Sequence, residues 1–256
     1  MRYVAIGDSF TEGVGDELPD GTTRGWADLV AAGLSTALAP AGEPLEYANL
    51  AIRGRLLRPI VTTQLDAALA LRPAADLITL NGGGNDMMRP GFDLAVLVGQ
   101  LEQAVRRCTA AGVRLVLISG GDPTAQLPFG RTIHRRGKEL TTALAGVCAR
   151  EGITLIDAFG DAELRAGRYW SPDRLHLNSD GHRRVAGLVL HGLGYAPMPE
   201  PAPAGVAERR GPAANARYYR EHVLPWIQRR LRGRSSGDDR DPKHAVWHLI
   251  EPTAVS

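Results

Sequence analysis

A serine, an aspartate and a histidine stand where they can carry out acyl transfer. Gly7-Asp8-Ser9 follows the first apolar run, and Asp173-Arg174-Leu175-His176 comes late in the chain. A serine hydroxyl is a weak nucleophile until a base takes its proton. A histidine that titrates near neutrality is a suitable base. The imidazole needs a partner that fixes its tautomer and stabilises its cation. Asp173 lies three residues before His176, so its carboxylate can fold back onto Nδ1 and leave Nε2 for Ser9. The tetrahedral intermediate also needs hydrogen-bond donors at its oxyanion. The backbone N–H of Ser9, the backbone N–H of Gly54 and the side-chain amide of Asn85 supply three. Glycine at position 54 leaves no Cβ between its N–H and a substrate oxygen.

Such groups work only if the fold brings them together, and the hydrophobic pattern says how. Short apolar runs at 3–6, 45–50, 77–80, 113–119 and 153–156 read as five strands. Between them, apolar residues recur at helical spacing over 26–38, 59–71, 93–111 and 135–151. Asp93 is placed to cap its helix and Gly112 to end it. A short helix is expected over 161–166. A last core helix is expected from about Ser179 to Leu193, with Ser179 or Asp180 as N-cap. Strands that alternate with helices imply a parallel sheet covered on both faces. In such sheets ligands bind outside the carboxyl ends of the strands. The segments holding Ser9, Gly54, Asn85 and His176 all lie at or beyond such ends.

These four segments resemble the SGNH hydrolases, the GDSL-type esterases. That family is marked by a serine in a GDS segment, a glycine, the asparagine of a G-x-N-D segment and the histidine of a D-x-x-H segment. Here they are Ser9, Gly54, Asn85 and His176, with Asp173 before the histidine. The resemblance spans about residues 1–195, and Phe10 stands where the GDSL motif has leucine. It implies a three-layer α/β/α, flavodoxin-like fold and hydrolysis of a carboxylic ester or thioester without a cofactor. The substrate it leads us to expect is a small-molecule ester with a small acyl or O-acetyl group. Two other functions use the same sequence features: an acyltransferase with the same triad, and a non-catalytic ligand-binding module.

Competing motifs are missing. Gly82-Gly83-Gly84-Asn85-Asp86 lacks the Lys and Ser/Thr of a phosphate-binding loop. The Gly-x-Ser-x-Gly elbow of the α/β-hydrolases is absent. Asp157 is a rival acid for orienting the histidine. Asp8 and Asp86 are expected to hydrogen-bond the loops around Ser9 and Asn85, and His182 to be structural. Selectivity is expected to reside in the loops 122–131 and 87–92, and Met87, Met88 and Phe92 are candidates for an apolar acyl pocket. Trp26 and Trp170 are candidates for lining the cleft.

Composition is that of an ordinary globular protein with material for a sizeable core. Of 256 residues, 44% are hydrophobic and 23% charged, near ordinary values. A net charge of +2 points to neither nucleic acid nor an anionic membrane as partner. Cys108 and Cys148 fall in helical patterns and are expected as buried thiols. No cluster of metal-ligand spacing is present. With neither a leader pattern nor an apolar run long enough to span a bilayer, a cytoplasmic location is expected. After residue 195 the chain reads as a Pro/Ala-rich linker to Ala214. An amphipathic, Arg-rich helix over 215–234 and an irregular tail over 235–256 follow.

Overall fold

Residues of β1 (Arg2–Ile6) alternate between two cores. Tyr3 and Ala5 face one, Val4 and Ile6 the other, and all four are fully buried. A strand covered on both faces needs helices on both sides. The computed structural model describes residues 1–127, 130–196 and 237–252 and has that layering. The strands β2 (Leu45–Asn49), β3 (Leu77–Asn81), β4 (Arg114–Ile118) and β5 (Thr154–Ile156) run parallel to β1. On one face lie α2 (Trp26–Leu38) and α8 (Ser179–Leu193), packed over Tyr3, Tyr47, Val116 and Ile118. On the other lies a helical run made of α3 (Leu57–Pro59), a π-turn (Ile60–Gln64) and α4 (Leu65–Ala70). It shares that face with α6 (Leu94–Ala110) and α7 (Gly130–Glu151). Two short helices, α1 (Ser9–Glu12) and α5 (Gly84–Met87), begin close beyond the ends of β1 and β3.

The parallel strands follow the order β5-β4-β3-β1-β2, the flavodoxin-like arrangement. The chain goes from β1 to one neighbour and then crosses to the other. This opens a crevice between the loops after β1 and β3, where such sheets bind ligands. The nucleophile candidate Ser9 follows β1, and Asn85 follows β3.

Three expectations need correction. The sheet has six strands, because His244–Ile250 forms β6, antiparallel to β2. This segment falls within the expected irregular tail. An unpaired edge on β2 would leave a row of open N–H and C=O groups, and β6 covers it. Ser35 Oγ donates to the Ile250 carbonyl at 2.6 Å and ties β6 to α2. Second, residues 161–166 form turns rather than a helix. The Asp161 carboxylate accepts from Leu164 N–H and from Arg184, so it competes with the backbone for local bonds. Third, α8 is capped by Asn178, whose Oδ1 accepts from Gly181 N–H. The expected linker beyond Ala196 and the Arg-rich helix over 215–234 lie outside the described residues. Cys108 and Cys148 are free and buried, and burial pushes both thiols up to about 11. Among the described residues, no helix is long and apolar enough to cross a membrane.

Candidate active site

The strand ends converge on a cleft of about 440 Å³. Ser9, Gly54, Asn85 and His176 all line it, and Asp173 stands behind His176. Each is held by a local device. Asp8 caps α1, with its Oδ1 accepting from Phe10 N–H at 3.1 Å, and this sets Ser9 at the first position of the helix. Gly7 is clamped from both sides by Gln64. Oε1 of Gln64 accepts from Gly7 N–H at 2.8 Å, and Nε2 donates to Gly7 C=O at 2.9 Å. Gln64 is buried and ends the π-turn. It lies four residues after buried Ile60 and four before buried Ala68, so helical spacing already sets it on the face toward the sheet.

The Asp173 segment is a tight loop. Ser171 N–H donates to His176 C=O at 2.9 Å, and Asn178 N–H donates to Tyr169 C=O at 3.0 Å. Arg174 turns it at a φ of 60°, uncommon for a residue with a side chain. Asp173 Oδ2 meets His176 Nδ1 at 2.5 Å. Its other oxygen accepts from Ser171 Oγ at 2.6 Å and from the N–H groups of Leu175 and His176, each at 3.0 Å. Burial pushes this carboxyl up, but the bonds and charge of His176 outweigh it, with help from Ser171. Asp173 is thus held well below the ordinary carboxylate range. Nδ1 is engaged, which leaves Nε2 as the ring nitrogen for the cleft. No hydrogen bond joins His176 to Ser9 among the described residues. Hydrogen bonds between a nucleophile and its base often tighten only in the substrate complex.

The oxyanion candidates differ from one another. Ser9 opens its helix, so its N–H has no intrahelical acceptor. Gly54 adopts a φ of +76°, which only glycine takes readily. Neither N–H has a protein acceptor among the described residues. Asn85 is more committed. Its Nδ2 donates to Asp8 Oδ2 and to Arg55 C=O, both at 3.0 Å. Sequence reading aimed this amide at substrate alone and missed its link to Asp8.

Asp8 is buried beside this amide, and burial raises its carboxyl to about 6. The sign of its effect on stability follows. The ordinary value is 3.8, so between about pH 4 and 6 the folded protein binds more protons here than the unfolded one. Stability from Asp8 therefore falls as pH rises through that window, by roughly 2–3 kcal/mol. Asp8→Asn is expected to remove this slope, as measured by urea unfolding at pH 4, 5, 6 and 7. An unchanged slope would assign it to other groups. Gln64→Leu is expected to destabilise by about 1–3 kcal/mol, since it strands the buried Gly7 N–H. Urea unfolding at one pH checks this.

The remaining candidates fall elsewhere. Asp157 accepts from Ser119 Oγ and Gly160 N–H and is not a partner of His176. Asp86 accepts from Leu57 N–H. His182 is buried, with Nδ1 accepting from Trp26 N–H at 3.2 Å. Burial lowers it to about 4, so it stays neutral. Trp26 is core, whereas Trp170 lines the cleft. Met87 and Met88 line it too, but Phe92 packs beneath Arg136 instead. Leu140 and Leu144 of α7 complete the apolar wall, together with Phe159. The sequence also hid a second acid–imidazole pair, Asp122 Oδ2 with His134 Nδ1 at 2.9 Å. Arg165 adds an ion pair to the same Asp122 oxygen, and His134 stacks on Phe159. This pair braces the loop beside the cleft. No group of three or more potential metal ligands occurs among the described residues.

Residues 5–184 match the GDSL-like lipase/acylhydrolase family. The chain belongs to that family. Membership makes it an ester-bond hydrolase and sets aside the non-catalytic binding module. Solved structures of similar fold include the psychrotrophic esterase EstA from Pseudoalteromonas sp., at 19% identity and a TM-score of 0.58. That match covers 75% of this chain and 96% of EstA. TesA is 23% identical with a TM-score of 0.60, over 75% of this chain and 98% of its own. The acetylxylan esterase Axe2 from Geobacillus stearothermophilus is 18% identical with a TM-score of 0.58. It covers 78% of this chain and 97% of its own. No curated protein sequence matches the chain. At these identities the GDSL-like hydrolase shares its fold with these structures, and the likeness says nothing of its substrate.

Proposed function

We propose that this GDSL-like hydrolase is a serine esterase that forms an acyl-enzyme on Ser9. His176 Nε2 takes the hydroxyl proton as Ser9 Oγ attacks the ester carbonyl. Asp173 fixes the ring with Nδ1–H toward the carboxylate and stabilises the imidazolium. The oxyanion takes the N–H groups of Ser9 and Gly54 and a share of the Asn85 amide. Imidazolium then protonates the leaving alcohol. In the second half His176 draws a proton from water, which attacks the acyl-enzyme and releases the acid.

The observation that carries this reading is the engaged Asp173–His176 pair, whose ring borders the same cleft as Ser9 and two N–H groups without acceptors among the described residues. The apolar wall of Met87, Leu140, Leu144 and Phe159 favours a small or medium acyl group. The test is turnover of p-nitrophenyl acetate, butyrate and octanoate, with the acyl adduct trapped by rapid acid quench. Mass spectrometry of the Ser9 peptide is expected to show the added acyl mass. Turnover with the adduct on another residue, or with none, would overturn the assignment.

A further inference from the structure

The C-terminal segment that carries β6 also reaches the cleft. Gly237 packs so tightly on the Arg53 carbonyl that a Cβ there would collide with it. Its own carbonyl accepts from Arg55 Nη2 at 3.3 Å, and Asp238 lies 3.7 Å from Arg55 Nη1. Farther along, Lys243 Nζ donates to Thr23 C=O at 2.6 Å and to Asp28 Oδ2 at 2.7 Å. Residues 237–243 are therefore fastened at both ends, first against the loop that contains Gly54 and then against the start of α2.

Arg240 lies between these anchors and lines the cleft. Among the described residues it pairs with Glu12, whose Oε1 lies 3.7 Å from its Nη1. That oxygen is already taken by Arg53, which donates to it from Nε at 2.8 Å and from Nη2 at 2.5 Å. The other Glu12 oxygen accepts from Arg53 N–H at 2.6 Å. One carboxylate is thus matched by Arg53, and among the described residues Arg240 is a cation in surplus. Its side chain is 53% exposed, and none of its N–H groups is hydrogen-bonded among the described residues. Asp239 and Asp241 flank it in sequence but do not line the cleft.

Sheet order gives the cleft a direction. Phe159 follows β5, Ser119 to Pro123 follow β4, and Asn81 to Asn85 end or follow β3. Ser9 follows β1, Gly54 follows β2, and Arg240 precedes β6. The apolar wall is thus on one side of Ser9 and the surplus guanidinium on the other. A guanidinium with open donors recognises the paired oxygens of carboxylates and phosphates.

We infer that Arg240, carried by the C-terminal segment, forms an anion subsite for a carboxylate or phosphate on the alcohol part of the substrate. The acyl group then occupies the apolar end. This rests on the proposed esterase reading for the bond that is cut, while binding of the anion does not depend on turnover.

The test compares carboxymethyl butyrate and 2-phosphoethyl butyrate with neutral carbamoylmethyl butyrate. For each, kcat/KM is measured on the full chain and on Arg240→Ala, and Kd by calorimetry on Ser9→Ala with and without Arg240→Ala. At least one anionic ester is expected to be preferred by about tenfold, in rate and in affinity, and Arg240→Ala to bring the ratio near one. The arm that shows the preference names the anion. A ratio near one with Arg240 present, or a ratio that survives Arg240→Ala, would overturn the subsite. An affinity preference without turnover of any ester would instead overturn the esterase reading and keep the subsite.

Discussion

Asp173→Asn is expected to lower kcat by about 10⁴ while leaving the fold intact. The hydrogen bonds around this carboxylate show why the exchange is so damaging. Three donors converge on Oδ1: Ser171 Oγ and the N–H groups of Leu175 and His176. In the variant the amide oxygen must stay there, because an NH₂ group would face three donors. The amide nitrogen then points at His176 Nδ1, where Oδ2 is now 2.5 Å away. Nδ1 must accept, so the ring proton moves to Nε2. A protonated Nε2 cannot take the proton of Ser9. The loop keeps its three Oδ1 bonds, so circular dichroism and melting temperature should change little. Turnover of p-nitrophenyl butyrate beside a thermal melt checks both parts. A kcat within tenfold of the parent enzyme would remove Asp173 from the mechanism.

Much of this site was legible in the sequence because each part is specified locally. Asp173 and His176 are three residues apart in a loop closed by its own backbone bonds. Gly54 needs a backbone angle that marks it as glycine. Ser9 and Asn85 follow strands that flank the switch point, so the βα alternation alone sends them to one edge. What stayed hidden depends on contacts distant in sequence. Gln64 sits on the buried face that Ile60, Leu65 and Ala68 mark, but nothing in that pattern names Gly7, 57 positions earlier, as its partner. The link from Asn85 to Asp8 needs β1 and β3 side by side. β6 pairs with a strand some two hundred positions earlier in the chain. Its sequence, His244-Ala245-Val246-Trp247-His248-Leu249-Ile250, gives no clean alternation because Val246 and Leu249 are both exposed. Arg240 was therefore invisible as a cleft residue until the strand after it was placed. The acyl wall was half visible: the loop methionines could be named, but Leu140 and Leu144 were only two positions within the helical pattern over 135–151.

Asn85→Ala is expected to cost about 10²–10³ in kcat and little in KM. The asymmetry follows from when the donor is needed. A neutral ester carbonyl gains little from a third donor, whereas a full oxyanion gains much, so the loss belongs to the transition state. The resting geometry adds a second consequence. Both Nδ2 bonds of Asn85 go to protein acceptors, one of them the Asp8 carboxylate. That bond lowers the Asp8 carboxyl against the larger upward push of burial. Removing it should drive Asp8 further up, so the stability slope assigned to Asp8 should extend to higher pH in Asn85→Ala. Two independent readouts therefore move together: a fall in kcat at constant KM, and a displaced stability profile. A purified Asn85→Ala protein with full activity would exclude the amide from the oxyanion site. A shifted profile in that same protein would leave Asn85 as a partner of Asp8 only, with Ser9 and Gly54 carrying the oxyanion by themselves.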